Sequence, residues 1–206
     1  MSKRIYSTPR RRSPTNQTPY LNHERRHQTK AEMVKWAIAR IASWNRPAHH
    51  LIIKMGSNTE PLMNMRIERW RKAVKQLARG SFWYKTDDAD LLNGIMFFEE
   101  TGGYLHAHVV AVAPIGGTLK TLLDPKAAKH LFGHVEPTVK PSTDFRGNPA
   151  LLAETPSNGS IWGREIANTD ADRRETVSYV LKSLEAIRDD EIPERQCTVL
   201  GRGGQD

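Results

Sequence analysis

The chain reads as an α+β domain in which a central antiparallel β-sheet carries flanking helices. Three observations predict it. Apolar residues recur at helical intervals near residues 29–44, 64–79 and 171–187, while residues 50–55, 94–99 and 104–113 have the apolar, β-branched character of strands. Two of those strands are separated only by Glu100-Thr101-Gly102-Gly103, a hairpin turn that makes them antiparallel neighbours. With 206 residues, 38% of them apolar, the chain can bury one core and leave loose ends. We expect a basic N-terminal arm at 1–28, one domain at 29–188 and a frayed tail at 189–206.

Thr29 and Glu32 have capping-box spacing, and Met33, Trp36, Ala37, Ile41 and Trp44 follow at helical intervals until Pro47. His50 to Met55 is the first strand. The second helix runs from Asn64 to Arg79, with Ile67, Trp70, Val74 and Leu77 inward, and stops at Gly80. Phe82-Trp83-Tyr84 suggests a short edge strand. Gly94–Glu99 and Tyr104–Ala113 form the hairpin, ended by Pro114 because a central strand cannot spare an N–H. Asp124-Pro125 opens a short helix reaching Phe132. The Pro-, Thr-, Asn- and Gly-rich stretch from His134 to Gly159 reads as loop, with a weak strand at 135–139. Ser160–Ala167 is a strand, and a last helix spans Ala171 to Ile187.

Lys and Arg number 31 against 23 Asp and Glu, giving a formal charge of +8 and a pI near 9.7, which favours an anionic partner. The arm supplies Lys3, Arg4, Arg10, Arg11 and Arg12 with no acidic residue among residues 1–22. The second helix supplies Arg66, Arg69, Arg71, Lys72, Lys75 and Arg79 against Glu68 alone. Both segments suit nonspecific phosphate contacts, although the same residues also serve to solvate a tail and a helix. Mean hydropathy is −0.61, and no apolar run approaches the roughly 18 residues of a membrane span. Cys197 is the single cysteine, which excludes an intrachain disulfide framework and a Cys-rich zinc site. The start Met1-Ser2-Lys3-Arg4 leads into no apolar signal segment, so cytoplasmic residence is expected.

His106 and His108 flank Ala107 on a strand. A period of two puts both imidazoles on one face, where they suit a divalent metal or sit as hydrogen-bonded, partly buried histidines. Glu99 and Glu100 end the preceding strand across the hairpin, so one carboxylate returns beside them. Two imidazoles and a carboxylate favour Mn²⁺ or Mg²⁺ in a Lewis-acid role. A cupin would need a glutamate where Val112-Ala113 stand, and the His-Glu-x-x-His of a zincin is absent. His23, His27, His49, His50, His130 and His134 are spare, with His49 and His50 read as solvent or core residues.

On the last helix Val177, Val180, Leu181, Leu184 and Ile187 share an arc, and Tyr179 and Lys182 fall opposite it on adjacent turns. A tyrosine there is either a surface aromatic or a phenolic nucleophile whose cationic neighbour offsets phosphate charge. Glu175 shares its face, and Glu185 lies at the edge.

His106-Ala107-His108 on a strand, followed by Tyr179-x-x-Lys182 on a late helix, resembles the HUH endonucleases, the single-strand DNA nickases of rolling-circle replication initiators, relaxases and some transposases. The order and separation of the motifs look closest to replication initiators with one tyrosine. The resemblance implies a ferredoxin-like or RRM-like palm, Tyr179 as nucleophile, Lys182 assisting, and His106, His108 and Glu99 (alternatively Glu100) as ligands of Mg²⁺ or Mn²⁺. It further implies single-stranded DNA or an extruded origin hairpin as partner, with duplex unwinding supplied by a host helicase, since the chain has no P-loop. A relaxase or transposase of the same class, a noncatalytic nucleic-acid-binding protein using Phe82-Trp83-Tyr84 for stacking, and a hydrolase of small anionic substrates are the competing readings.

Overall fold

The computed structural model describes residues 30–44, 46–56, 59–80, 92–101, 104–157, 159–181 and 197–200. Its strands are β1 (Ala48–Lys54), β2 (Asn93–Thr101), β3 (Tyr104–Val112), β4 (Thr138–Thr143), β5 (Pro149–Glu154), β6 (Ser160–Ile166) and β7 (Cys197–Leu200). Its helices are α1 (Lys30–Ala42), α2 (Glu60–Arg79), α3 (Leu119–Leu122), α4 (Pro125–Ala128) and α5 (Asp170–Val180). The strands form one sheet in the order β4-β5-β6-β1-β3-β2-β7, and the neighbouring strands pair antiparallel. The α+β expectation holds, as does the pairing of β2 with β3. No helix among the described residues is long and apolar enough to cross a membrane.

Each face of the sheet buries its own cluster. On one, Leu51, Ile53, Met96, Phe98, Ala107, Val109 and Ala111 meet Met63, Ile67, Trp70 and Val74 of α2 and the Leu122–Leu131 stretch through α4. Trp70 is fully buried, and its indole N–H donates to Leu122 O at 2.9 Å, so the largest core side chain leaves no polar atom unpaired. Gly163 makes this layer possible: a Cβ there would stand 2.6 Å from Leu51 Cδ2 and 3.0 Å from Leu119 Cδ1. On the other face Ala48, Ile95, Phe97, Val110, Val112 and Ile166 meet Ala37 and Ile41 of α1 and Val177, Val180 and Leu181 at the end of α5.

Several element boundaries differ from expectation. Helix α2 starts at Glu60, earlier than Asn64, because Pro61 sits in the first turn, where its missing N–H costs no helix bond. Leu77, expected inward, is 39% exposed, whereas Arg71 and Lys75, expected on the solvated face, are buried. The expected loop from His134 to Gly159 contains the β4–β5 hairpin. Pro141 is tolerated because β4 is an edge strand, and Pro149 because it is the first residue of β5. Asp144 closes the turn by accepting from the backbone N–H groups of Arg146 and Asn148, and Gly147 takes φ +82°. Cys197–Leu200, within the expected frayed tail, pairs with Gly94–Phe97 of β2. Helix α5 spans Asp170–Val180, and the part of the expected helix from residue 182 to Ile187 lies outside the described residues. The arm with Arg10, Arg11 and Arg12, the Phe82-Trp83-Tyr84 segment, Lys182 and Glu185 lie outside the described residues.

Candidate active site

Register sets which side chains meet across the strands. One transverse row on the α1/α5 face runs Glu154, Ser160, Lys54, His106, Glu99; the next runs Lys140, Leu152, Trp162, Ile52, His108, Phe97; a third brings His50 between Arg164 and Val110. His106, His108 and Glu99 therefore share a face, as their spacing predicts, and Glu99 rather than Glu100 stands opposite His106. Glu100 stands opposite Leu105. Along β3 exposure falls from Tyr104, which is 60% exposed, through a partly covered His106 to a buried His108. Among the described residues, helices α1 and α5 cap the far end of this face and leave the Lys54–His106–Glu99 end uncovered.

Tyr179, 37% exposed, lies edge-on to two imidazoles: its ring centroid is 5.7 Å from that of His50 and 5.9 Å from that of His108. His50 and His108 stack at 5.9 Å with 17° between their planes. His108 Nε2 lies 2.8 Å from Glu99 Oε2, a hydrogen bond in which the ring N–H donates and the carboxylate fixes the tautomer. Burial pushes His50 down to about 3, helped by the nearby His108 and Arg164, so the ring is neutral at physiological pH. His106 is lowered as well, first by burial and then by Lys54, against the opposing pull of Glu99. Among the described residues no three His, Cys, Asp or Glu side chains already converge as a metal cage. Two imidazoles and one carboxylate form a mixed borderline and hard donor set for a divalent ion, but Glu99 spends one oxygen on His108.

The position of α5, and with it of Tyr179, depends on Arg164. Its buried guanidinium holds Asp172 bidentately at 2.9 and 3.0 Å and donates to Thr176 Oγ1 at 2.8 Å, both on α5; Nε faces Asp144 Oδ2 at 3.5 Å. One side chain of β6 thereby ties the helix and the β4–β5 turn to the sheet. For the Asp144 carboxyl, burial alone would raise the pKa; hydrogen bonds from Asn148 and the Arg146 backbone, with the Arg164 charge, outweigh it and lower the value. Thr169 caps the helix by accepting from Asp172 N. Glu175, expected on the face of Tyr179, pairs with Arg146.

The expected site residues divide sharply. Tyr179, His106, His108 and Glu99 come together. Arg66, Arg69, Lys72, Lys75 and Arg79 belong to α2, across the sheet from them; Arg66 donates to Leu131 O, and Lys75 is buried. His50, read as a solvent or core residue, is buried; period two on β1 gives it the same face as Ile52 and Lys54, and antiparallel pairing with β3 brings it beside His108. Trp162 and Arg164 were missed altogether, although Ser-Ile-Trp-Gly-Arg-Glu-Ile alternates clearly enough to put Trp162 and Arg164 on one face. Comparison with protein-family models, with curated proteins and with solved structures finds no match for the chain.

Proposed function

We propose that this chain is a metal-dependent, site-specific endonuclease of the HUH kind that nicks and rejoins single-stranded DNA through Tyr179, initiating rolling-circle replication of a plasmid, phage or virus in the host cytoplasm. The observation that carries the reading is a half-exposed phenol on α5 held against His50 and His108, on a sheet face that also presents His106 and Glu99. The strand order β6-β1-β3-β2, with α2 and the α3–α4 segment packed on one side, supports a ferredoxin-like palm. Tyr179 Oη attacks the scissile phosphorus, a P–Oη bond forms, the P–O3′ bond breaks, and the departing 3′ oxygen takes up a proton. Attack by a 3′-hydroxyl on the phosphotyrosine reverses these changes and reseals the strand, so no external energy source is consumed. A Mg²⁺ or Mn²⁺ bound by His106, His108 and Glu99 would supply Lewis-acid polarisation of the phosphate. The chain's own groups do the rest: Arg164 holds α5 in place through Asp172 and Thr176, and Lys182, three residues after the nucleophile in the sequence, is assigned to offset phosphate charge.

The test is a denaturing gel of labelled single strands, drawn from random and hairpin-forming pools and incubated with Mn²⁺, Mg²⁺ or EDTA, with peptide mapping of any adduct. A metal-dependent adduct on Tyr179, abolished in Tyr179→Phe, is the expected result. Mapping to the exposed Tyr104, or persistence in Tyr179→Phe, would remove the assigned nucleophile; an adduct insensitive to EDTA would remove the metal.

A further inference from the structure

Beside Tyr179, on the side away from Glu99, the sheet face does not close. A cleft of about 460 Å³ lies between the sheet, α5 and the tip of the β4–β5 hairpin. Its floor is the cross-strand row Ile52, Trp162 and Leu152, each half-buried, and Phe145 at the hairpin tip is 79% exposed. Apolar and aromatic surface of this kind on an otherwise charged chain is unusual beside a polar site. His50 also lines the cleft; it is 4% exposed, and its Nε2 has no hydrogen-bond partner among the described residues, which leaves a buried polar group for a ligand to satisfy. Arg164 lines it too, but its guanidinium is spent on Asp144, Asp172 and Thr176, so the inner wall offers no free cation for a phosphate. Lys54, exposed, is the cation at the rim, and the carboxylates of Asp144, Glu154 and Glu175 also line the cleft, paired with Arg164, Lys140 and Arg146.

A site with an aromatic and aliphatic floor, one unsatisfied ring nitrogen inside and acidic side chains in its wall fits a flat heterocycle and holds the attached phosphodiester outside. We propose that this cleft is a nucleobase subsite, which takes one unstacked base of the single strand engaged at Tyr179, with the β4–β5 hairpin as its outer wall. The inference rests on the nuclease reading for the strand, and deepens it by assigning base recognition to Trp162, Phe145 and His50. Burying one base against aromatic surface gains affinity with limited sequence preference; the buried His50 nitrogen adds a hydrogen bond that discriminates between base edges. The hairpin is fixed to the same Arg164 that fixes α5, so the subsite and the nucleophile keep a constant separation, which sets how far the recognised base lies from the nick.

The probe is a pool of random-sequence single strands carrying one 5-iodouracil, bound to the full chain, irradiated and mapped by mass spectrometry. Crosslinks should concentrate on Trp162 or Phe145. Phe145→Ala, which removes only an exposed ring and leaves the core intact, should weaken binding of the pool by about fivefold or more, the range of one lost base–aromatic stack. Crosslinks confined to other parts of the chain, with unchanged affinity in Phe145→Ala, overturn the subsite. The two readings separate cleanly: an adduct on Tyr179 with crosslinks elsewhere keeps the nuclease and removes the subsite. Crosslinks on Trp162 or Phe145 without any adduct keep the subsite and remove the nuclease. Neither signal removes both.

Discussion

Toward α2, strands β1 and β3 present Leu51, Ile53, Ala107, Val109 and Ala111, all buried; toward α1 and α5 the open halves of the same strands present Ile52, Lys54, His106 and His108. Neighbouring residues thus serve different purposes on a single backbone. Among the described residues the first face is covered by α2, α3 and α4, while the second is covered where α1 and α5 lie. Polar side chains collect where cover ends, because there water or a ligand can satisfy them. A strand divides folding from function at a period of two, so substitutions one residue apart should differ in kind.

The largest effect that tests this division is on the covered face. Trp70→Ala removes a fully buried indole and its bond to Leu122 O, and should cost about 3–5 kcal/mol in urea unfolding. Tyr179→Phe, at a partly exposed position on the other face, should change stability by less than about 0.5 kcal/mol while abolishing the DNA adduct. Comparable destabilisation in both variants would mean that Tyr179 is a packing residue and that the two faces are not distinct.

How much of this could be read from the sequence follows the same line. His106-x-His108, the hairpin before it and the helix bearing Tyr179 were legible because each signal lies within a few residues and fixes its own face. Glu99 was left open against Glu100, since a turn of unknown register decides between them; the observed pairing of Thr101 with Tyr104 puts Glu99 opposite His106. What local pattern could not give is adjacency between distant strands. His50 meets His108 only through the pairing of β1 with β3, and Arg164 meets Asp144 only through the order β4-β5-β6, neighbours that no short window of sequence contains. The β4–β5 hairpin escaped for a different reason: its prolines argue against a strand unless its edge position is known.

A second, intermediate effect concerns His49, which points the other way from His50. It is 2% exposed, and burial lowers it to about 4, against a backbone hydrogen bond at Ala111 that pulls upward. The folded value lies below the ordinary 6.5, so folding favours the neutral ring. That contribution is complete above pH 6.5 and is lost as pH falls toward 4, about 3 kcal/mol at full extent. His49→Leu should flatten this part of the acid limb in urea titrations at successive pH values. His50, lowered to about 3 on the opposite face, contributes over the same window, so a residual slope should survive. Superimposable limbs for parent and His49→Leu would show that His49 does not titrate against burial.

The smallest effect sharpens the comparison most, because it sets the two positively charged surfaces against each other. Arg69 and Lys72 project from α2 on the covered face, whereas Lys54 lies opposite His106 on the open one. Charge alone makes all three candidates for phosphate contact, and composition cannot rank them. Position does: a strand held at Tyr179 passes Lys54, and reaching Arg69 or Lys72 would require it to turn around the sheet. Each phosphate neutralised on a single strand contributes about 0.7 to the slope of log affinity against log salt. With short oligonucleotides, Lys54→Gln should lower that slope by about this amount, and Arg69→Gln combined with Lys72→Gln should leave it unchanged. A reduced slope in the α2 double variant with no change in Lys54→Gln would move the nucleic-acid surface to the other side of the sheet and separate it from the tyrosine.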